Sequence, residues 1–242
     1  MALHEVLIMA MTRMRSGICT AGFINEPHPA SHLRWVRPVK EFGALLIGDM
    51  SQADGRVVQV GDVVELNLIH ERPDAPHCED WVTDFVKKRP HIVRQSTGQA
   101  WSTFLDKHCD KNPTDVLQEH SRSLCLLRPQ TLWANFALDA YSGNYEARLG
   151  FQLAGHPYPE TSPKRGLPVT DLKWRALGRS WLAQAQAERS ELDNTELHER
   201  LQAEAIYLSI GLSRSFEGKI WPLIIGVYPI PDYAVCIDYN QP

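Results

Sequence analysis

The sequence predicts a mainly β chain with a few helices, an α+β protein built as two small barrels in tandem and packed together. Three observations predict it. Apolar residues recur at every second position in short runs, the period of half-buried strands. Glycines and prolines bracket those runs, as in short strands that bend and close. A strand, a hydroxyl–Arg pair, a turn and a second strand occur in that order near both ends of the chain, as two copies of one unit would give.

The elements follow in order. V-L-I-M-A-M (6–11) is a compact apolar run suited to a buried strand, and T-R-M-R-S-G (12–17) is a polar turn leading to the strand I-C-T-A-G-F (18–23). L-R-W-V-R-P-V (33–39) places Leu33, Trp35 and Arg37 on one face against Arg34 and Val36, with Pro38 at an edge. A Gly61-Asp62 turn precedes the alternation Val64, Leu66, Leu68. Residues 70–112 are less regular: Trp81, Phe85 and Val86 read as one short helix, and Trp101, Phe104 and Leu105 as another.

The second half opens with the apolar run L-C-L-L (124–127). Leu132, Ala134, Phe136 and Leu138 alternate, a Ser142-Gly143-Asn144 turn follows, and Ala147, Leu149 and Phe151 alternate in return, which reads as a hairpin. Residues 156–168 form an irregular loop with four prolines. Thr170 then serves as helix cap, before a stripe of Leu172, Ala176, Trp181 and Ala185. A short helix with Leu197 and Leu201 four apart leads to strands over 205–212 and 219–228. The expected domains are 1–112 and 113–242, each with a helical insertion.

The chain has 242 residues and a formal net charge of −4, which weighs against a wholly basic nucleic-acid binder. The charge is segregated, however. Residues 41–84 hold ten acidic and two basic groups, and 188–204 hold six acidic and two basic, so the remainder carries the basic character. Five scattered cysteines without a C-x-x-C read as reduced thiols of a cytoplasmic protein. The opening residues read as a first strand rather than a signal peptide, and no stretch approaches the roughly 20 apolar residues of a membrane span.

The pattern Thr12-Arg13 … Gly17-Ile-Cys-Thr-Ala-Gly22 … Arg34-Trp-Val-Arg-Pro-Val39 is joined by Gly61-Asp-Val-Val-Glu-Leu66 and P-H-C-E-D-W (76–81). With the ending Gly211-Leu-Ser-Arg214 … Gly226-Val-Tyr-Pro-Ile-Pro-Asp-Tyr233, it resembles the bacterial dual OB-fold-containing domain family over nearly the whole chain. The resemblance implies two OB-like barrels in tandem and a nucleic-acid-binding role in bacterial defence systems. OB folds bind oligonucleotides and sugars on one sheet face and its flanking loops.

The candidate binding residues are Thr12, Arg13, Arg15, Arg34, Trp35, Arg37, Ser213, Arg214 and Tyr233, with the basic loop residues Lys164 and Arg165 near Lys173 and Arg175. Guanidinium groups neutralise phosphate and aromatic faces stack bases. Two readings stay open here: Trp35 and Trp221, being on strands, suit a core more than a stacking role, and the arginines can pair with carboxylates. Arg13 and Arg214 are expected at equivalent places in the two halves. His77-Cys78 and His108-Cys109 are zinc-type residues at a spacing that matches no familiar site, so no metal or cofactor is expected. His77, Glu79 and Asp80 beside Trp81 read instead as a polar lock between the halves.

The sequence holds no G-x-S-x-G, P-loop or G-x-G-x-x-G, and no catalytic residue is assigned. The expected function is a binding module for single-stranded RNA or DNA or a nucleotide, with no membrane partner. The alternatives are a protein-interaction adaptor using the acidic segments and, behind it, a hydrolase or nuclease with a site at the barrel interface.

Overall fold

The computed structural model describes residues 3–25, 33–139, 141–153, 156–158 (backbone only), 166–215 and 217–239. It divides into two compact units, Met1–Thr103 with Thr114–Leu124, and Phe104–Pro113 with Cys125–Pro242. Around the division expected at 112/113, residues 104–113 go with the second unit and 114–124 with the first.

Unit 1 contains β1 (His4–Met14), β2 (Gly17–Asn25), β3 (Leu33–Val39), β4 (Asp62–Leu66), β5 (Leu68–Glu71), β6 (Asp80–Thr83) and β7 (His91–Gln95). Their order in the sheet is β5-β6-β3-β2-β1-β4-β7. β4 and β5 are one chain segment bent at Asn67. β4 pairs with β1 and β5 pairs with β6, so the bent strand joins two far parts of the sheet and curls it closed. The cycle is β1, β2, β3, β6, then β5/β4. Its parallel step is β3 beside β6, and β7 is added outside on β4.

The register builds the interior. Val6 stands opposite Ile24 on one side and Val64 on the other, and Gly22 stands opposite Val36. Val6, Ile8, Ile24, Val36, Val64 and Leu66 are all buried. Only glycine fits at Gly22, where a Cβ would stand 2.3 Å from the Leu7 carbonyl oxygen. Trp81 lies in β6, a strand, and Phe85 and Val86 lie in a turn; the short helix expected there is corrected. Four residues are too few for a period to separate the two conformations.

A buried polar network returns residues 114–124, including the short helix at Thr114–Leu117, onto unit 1. Glu79 Oε1 accepts from the backbone N–H of Ser123 (2.9 Å) and Leu124 (3.1 Å), and Oε2 accepts from Ser123 Oγ at 2.7 Å. Arg37 donates to that hydroxyl at 2.6 Å and to Asp80 at 3.1 Å. Glu79 and Asp80 are thus a lock, but one that acts inside unit 1.

Helix α1 (Gly98–His108) follows β7, and α2 is the helix at Thr114–Leu117. Unit 2 then contains β8 (Leu124–Leu127), β9 (Thr131–Leu138), β10 (Tyr145–Leu153), β11 (His156–Tyr158), β12 (Leu167–Pro168), α3 (Leu172–Ala185), β13 (Arg189–Leu192), α4 (Asn194–Leu201), β14 (Ala205–Leu212) and β15 (Pro222–Ile230). One sheet runs β11-β10-β9-β13 with β12 also on β10, and another runs β15-β14-β8.

Two junctions join them. Val169, just after β12, bridges in parallel to Ile224 of β15, and β8 passes into β9 across residues 128–130. The cycle is therefore β8/β9, β10, β12, β15, β14, which is the order found in unit 1. In both units the first strand pairs with the second and fourth, and the third lies parallel to the fifth.

This order corrects one expectation. The hairpin β1–β2 supplies strands one and two of its barrel, whereas β14–β15 supplies strands four and five. The likeness between them is local, an antiparallel pair with a bulge beside a glycine, Gly22 in one and Gly226 in the other. Arg13 and Arg214 therefore do not occupy equivalent positions.

In unit 2, α3 covers β9 and β10. Its cap is Asp171 rather than Thr170, and Asp171 Oδ1 accepts from the N–H of Lys173 and Trp174. Its buried face includes Leu172, Trp174, Leu177, Gly178, Trp181 and Leu182, while Ala185 is exposed. A Cβ on Gly178 would overlap the Phe136 ring, so the helix packs directly on β9. Asp171 Oδ2 also accepts from Val227 N–H at 2.9 Å, which fixes the helix start to β15. Burial pushes its carboxyl up to about 6 against the pull of these N–H groups.

Each of these networks can be broken one group at a time. Replacing Arg37 with alanine leaves Asp80 buried without its cation, and replacing Glu79 with alanine strands the Ser123 and Leu124 amides; each is expected to cost about 3–5 kcal/mol in urea unfolding. Asp171→Asn puts an N–H₂ where three N–H donors need acceptors, and is expected to cost about 1–3 kcal/mol at neutral pH. The wild-type carboxyl holds its proton more tightly folded than unfolded, so its contribution to stability falls as pH rises from about 4 to 6 and is flat above. The gap between wild type and Asp171→Asn should accordingly widen as pH is lowered from 7 to about 4.5, read by melts at each pH.

Candidate nucleic-acid interface

In a five-stranded barrel of this order, the ligand face is formed by strands two and three and bordered by the loops joining strands one to two and four to five. In unit 2 those are β10, β12 and the loops at 139–144 and 213–221. β12 runs antiparallel to β10, and β15 continues parallel to β12's exit. The two loops therefore lie at opposite ends of the face.

The first loop is held by its own backbone. Asp139 Oδ1 accepts from the N–H of Tyr141 (2.9 Å) and Ser142 (3.1 Å), and those bonds hold its carboxyl below the usual range. Gly143, with φ +69°, closes the turn by donating to the Asp139 carbonyl. The Tyr141 side chain is left fully exposed. At the second loop, Ser213 N–H donates to the Trp221 carbonyl at 2.8 Å, and Trp221 N–H donates to Ser213 Oγ at 2.9 Å. That cinched base presents Trp221, 54% exposed, beside exposed Arg214 and Lys219.

Between the loops, Arg148 projects from β10, since its neighbours Ala147 and Leu149 are buried. Its Nε donates to the Gly166 carbonyl at 2.8 Å, which fixes the guanidinium over the face. Next along β10, Gly150 lies so close under the Trp133 indole that a Cβ would overlap the ring. A cation and an indole thus lie side by side on the outer sheet surface.

Unit 1 differs. The outer side of β2 and β3 is filled: Phe23 and Trp35 stack at 4.0 Å and both are buried, Trp35 to 8% exposure. Arg37 is 6% exposed and locked to Asp80 and Ser123. Trp35 and Arg37 are thus packing and network residues in this structure. Arg34 pairs with Glu71 at 2.8 Å and lies 5.4 Å from the Trp81 ring centroid; its hydrogen bond holds the Glu71 carboxyl below the usual range. Thr12 is buried, and its hydroxyl donates to the Cys19 carbonyl. Arg13 and Arg15 are exposed at the tip of the β1–β2 hairpin.

Of the remaining candidates, Tyr233 sits with Lys173 Nζ 4.5 Å over its ring and its hydroxyl buried, which raises that hydroxyl well above its ordinary value. Lys164 and Arg165 lie outside the described residues. Among the described residues no three His, Cys, Asp or Glu side chains converge as metal ligands. Burial with Asp106 and Asp110 nearby pushes the Cys109 thiol up to about 11, and burial with Glu79 raises Cys78.

Sequence reasoning missed Tyr141, Arg148 and Lys219. Arg148 was visible as the polar member of an alternating strand, but a lone arginine on a strand carries no signal until the barrel order is known.

Among the described residues, no helix is long and apolar enough to cross a membrane. No curated protein and no solved structure matches the chain. The family described as the Dual OB-containing domain matches residues 4–227, and the two barrel cycles account for that description. With a match across nearly its whole length, the chain belongs to the Dual OB-containing domain family.

Proposed function

We propose that this OB-fold binding module takes single-stranded nucleic acid, and that unit 2 carries the main contact face. The observation behind this is the composition of the face and its borders. Tyr141 and Trp221 stand exposed at its two ends, Arg148 and Trp133 lie between, and at one border Arg214 and Lys219 outnumber the exposed Glu217. Base stacking on aromatic rings is worth about 1–3 kcal/mol per base and tolerates any sequence. Cations beside the rings supply phosphate contacts, which position the strand without reading it. An overall negative charge is compatible with such a face, because 16 of the 29 acidic residues lie in the segments 41–84 and 188–204, and Asp139 at one border is engaged by two backbone N–H groups.

The test is fluorescence anisotropy with labelled oligothymidylate and oligouridylate at low and physiological salt. Binding is expected to be tightest at low salt, with affinity falling as salt rises. Trp221→Ala and Tyr141→Ala are each expected to weaken binding roughly five- to hundredfold. Arg148→Ala should reduce the slope of log affinity against log salt by about 0.7, the loss of one phosphate contact on a single strand. Absence of binding at low salt would refute the proposal.

A further inference from the structure

We propose that unit 1 carries a stacking platform of its own for single-stranded nucleic acid, centred on Phe42. This rests on the reading of the chain as a single-strand binder. The observation is a strap pinned at both ends. Residues 40–46 leave β3 and run between the two loops that border a ligand face in this barrel order. At one end Arg72, in the loop between β5 and β6, donates to the carbonyl oxygens of Lys40 (3.1 Å) and Glu41 (3.2 Å). At the other, Ile18 N–H at the start of β2 donates to the Leu45 carbonyl at 2.8 Å. Gly17, with φ +155°, lies so near that a Cβ would stand 2.3 Å from the same oxygen.

Phe42 lies between these anchor points and is 84% exposed. Two further apolar side chains are exposed at the far end of the strap and on the hairpin tip, Leu46 at 52% and Met14 at 46%. An exposed aromatic ring on a strap anchored at both ends is suited to stacking a base. Phosphate ligands are at hand: Arg13 and Arg15 on the hairpin tip are exposed, and neither has an ion-pair partner among the described residues. Nearby carboxylates are partly engaged, Asp49 by Lys40 at 3.0 Å and Glu71 by Arg34 at 2.8 Å, while Glu41 of the strap is half exposed with His70 4.0 Å away, so the two arginines outnumber it. An anionic strand therefore meets two available cations and a ring, the combination that single-strand sites use. In unit 1 the strap takes over the stacking role that the filled β2–β3 face cannot perform.

The experiment uses the full chain with oligothymidylate carrying one 2-aminopurine, whose fluorescence reports stacking. Phe42→Ala is expected to weaken binding roughly five- to thirtyfold and to reduce the 2-aminopurine change, while Phe42→Trp preserves both. Because the ring is exposed, neither substitution should shift the melting temperature. If wild type binds and Trp221→Ala weakens it but Phe42→Ala does not, the platform is overturned while the function stands. If wild type binds no oligonucleotide at low salt, the parent reading falls and the platform with it. If Phe42→Ala instead abolishes sedimentation with phosphatidylserine vesicles and leaves oligonucleotide affinity intact, the patch is a lipid contact and the proposal is overturned.

Discussion

Each five-stranded sheet of this chain closes through one bent strand that pairs at both margins, β4/β5 in unit 1 and β8/β9 in unit 2. In unit 1 the bend is Asn67, a buried residue whose carbonyl accepts from Asp84 N–H at 3.0 Å instead of joining the ladder. In unit 2 it is the break at residues 128–130 between β8 and β9. The bent strand is the fourth in one unit and the first in the other, yet the cyclic order that results is the same. Everything about the candidate sites descends from this closure. It sends the loop after the first strand and the loop after the fourth to opposite ends of one face, so side chains far apart in sequence, such as Tyr141 and Trp221, border one surface.

The same closed order carries different surfaces in the two units. In unit 2 the face of β10 is lined by Arg148 and by a glycine that lets an indole lie flat. In unit 1 the corresponding side is covered by the Phe23–Trp35 stack and the Arg37 network. A buried guanidinium is retained only when every neighbour is satisfied, and Arg37 meets this with Asp80, Ser123 and a backbone bond to the Glu79 carbonyl. Such a group holds structure and cannot also release its charge to a ligand without exposing a buried carboxylate. Burial thus divides the arginines into two sets. Arg37 serves the fold, while Arg13 and Arg15 are exposed and Arg148 is half-buried on the Gly166 carbonyl.

Much of the fold was legible because it rests on local period. Val64, Leu66 and Leu68, and Leu132, Ala134 and Phe136, alternate as strands must, and the structure places each in a strand or at its bend with its side chain buried. Helix α4 was legible through Leu197 and Leu201, and its Asp193–Glu196 capping box supports the same start. What local period cannot carry is pairing across distance. The repeat of hydroxyl–Arg hairpins looked like two equivalent copies, but equivalence is a matter of which strands flank a hairpin, and that is set by closure. The arginines of L-R-W-V-R were likewise indistinguishable in sequence. Arg34 and Arg37 are three residues apart, yet one is half-buried on an ion pair and the other sealed, because alternate faces of β3 meet different surroundings.

The hydrogen bonds at the bases of the presenting loops bear on what kind of ligand the faces suit. A flexible loop loses conformational freedom on binding, and that loss weakens every contact it makes. Here part of that order is set by hydrogen bonds within the chain. Asp139 binds two successive amides under Tyr141, Ser213 closes a backbone ring under Trp221, and the strap bearing Phe42 is tied by Arg72 and Ile18. Rings so held gain stacking energy with little ordering left to do, and a ring does not distinguish one base from another. The side chains between them, by contrast, are few, and Arg148 is fixed to a backbone carbonyl. Pre-ordered rings with sparse polar groups favour recognition of a strand by its stacking and charge rather than by the identity of its bases.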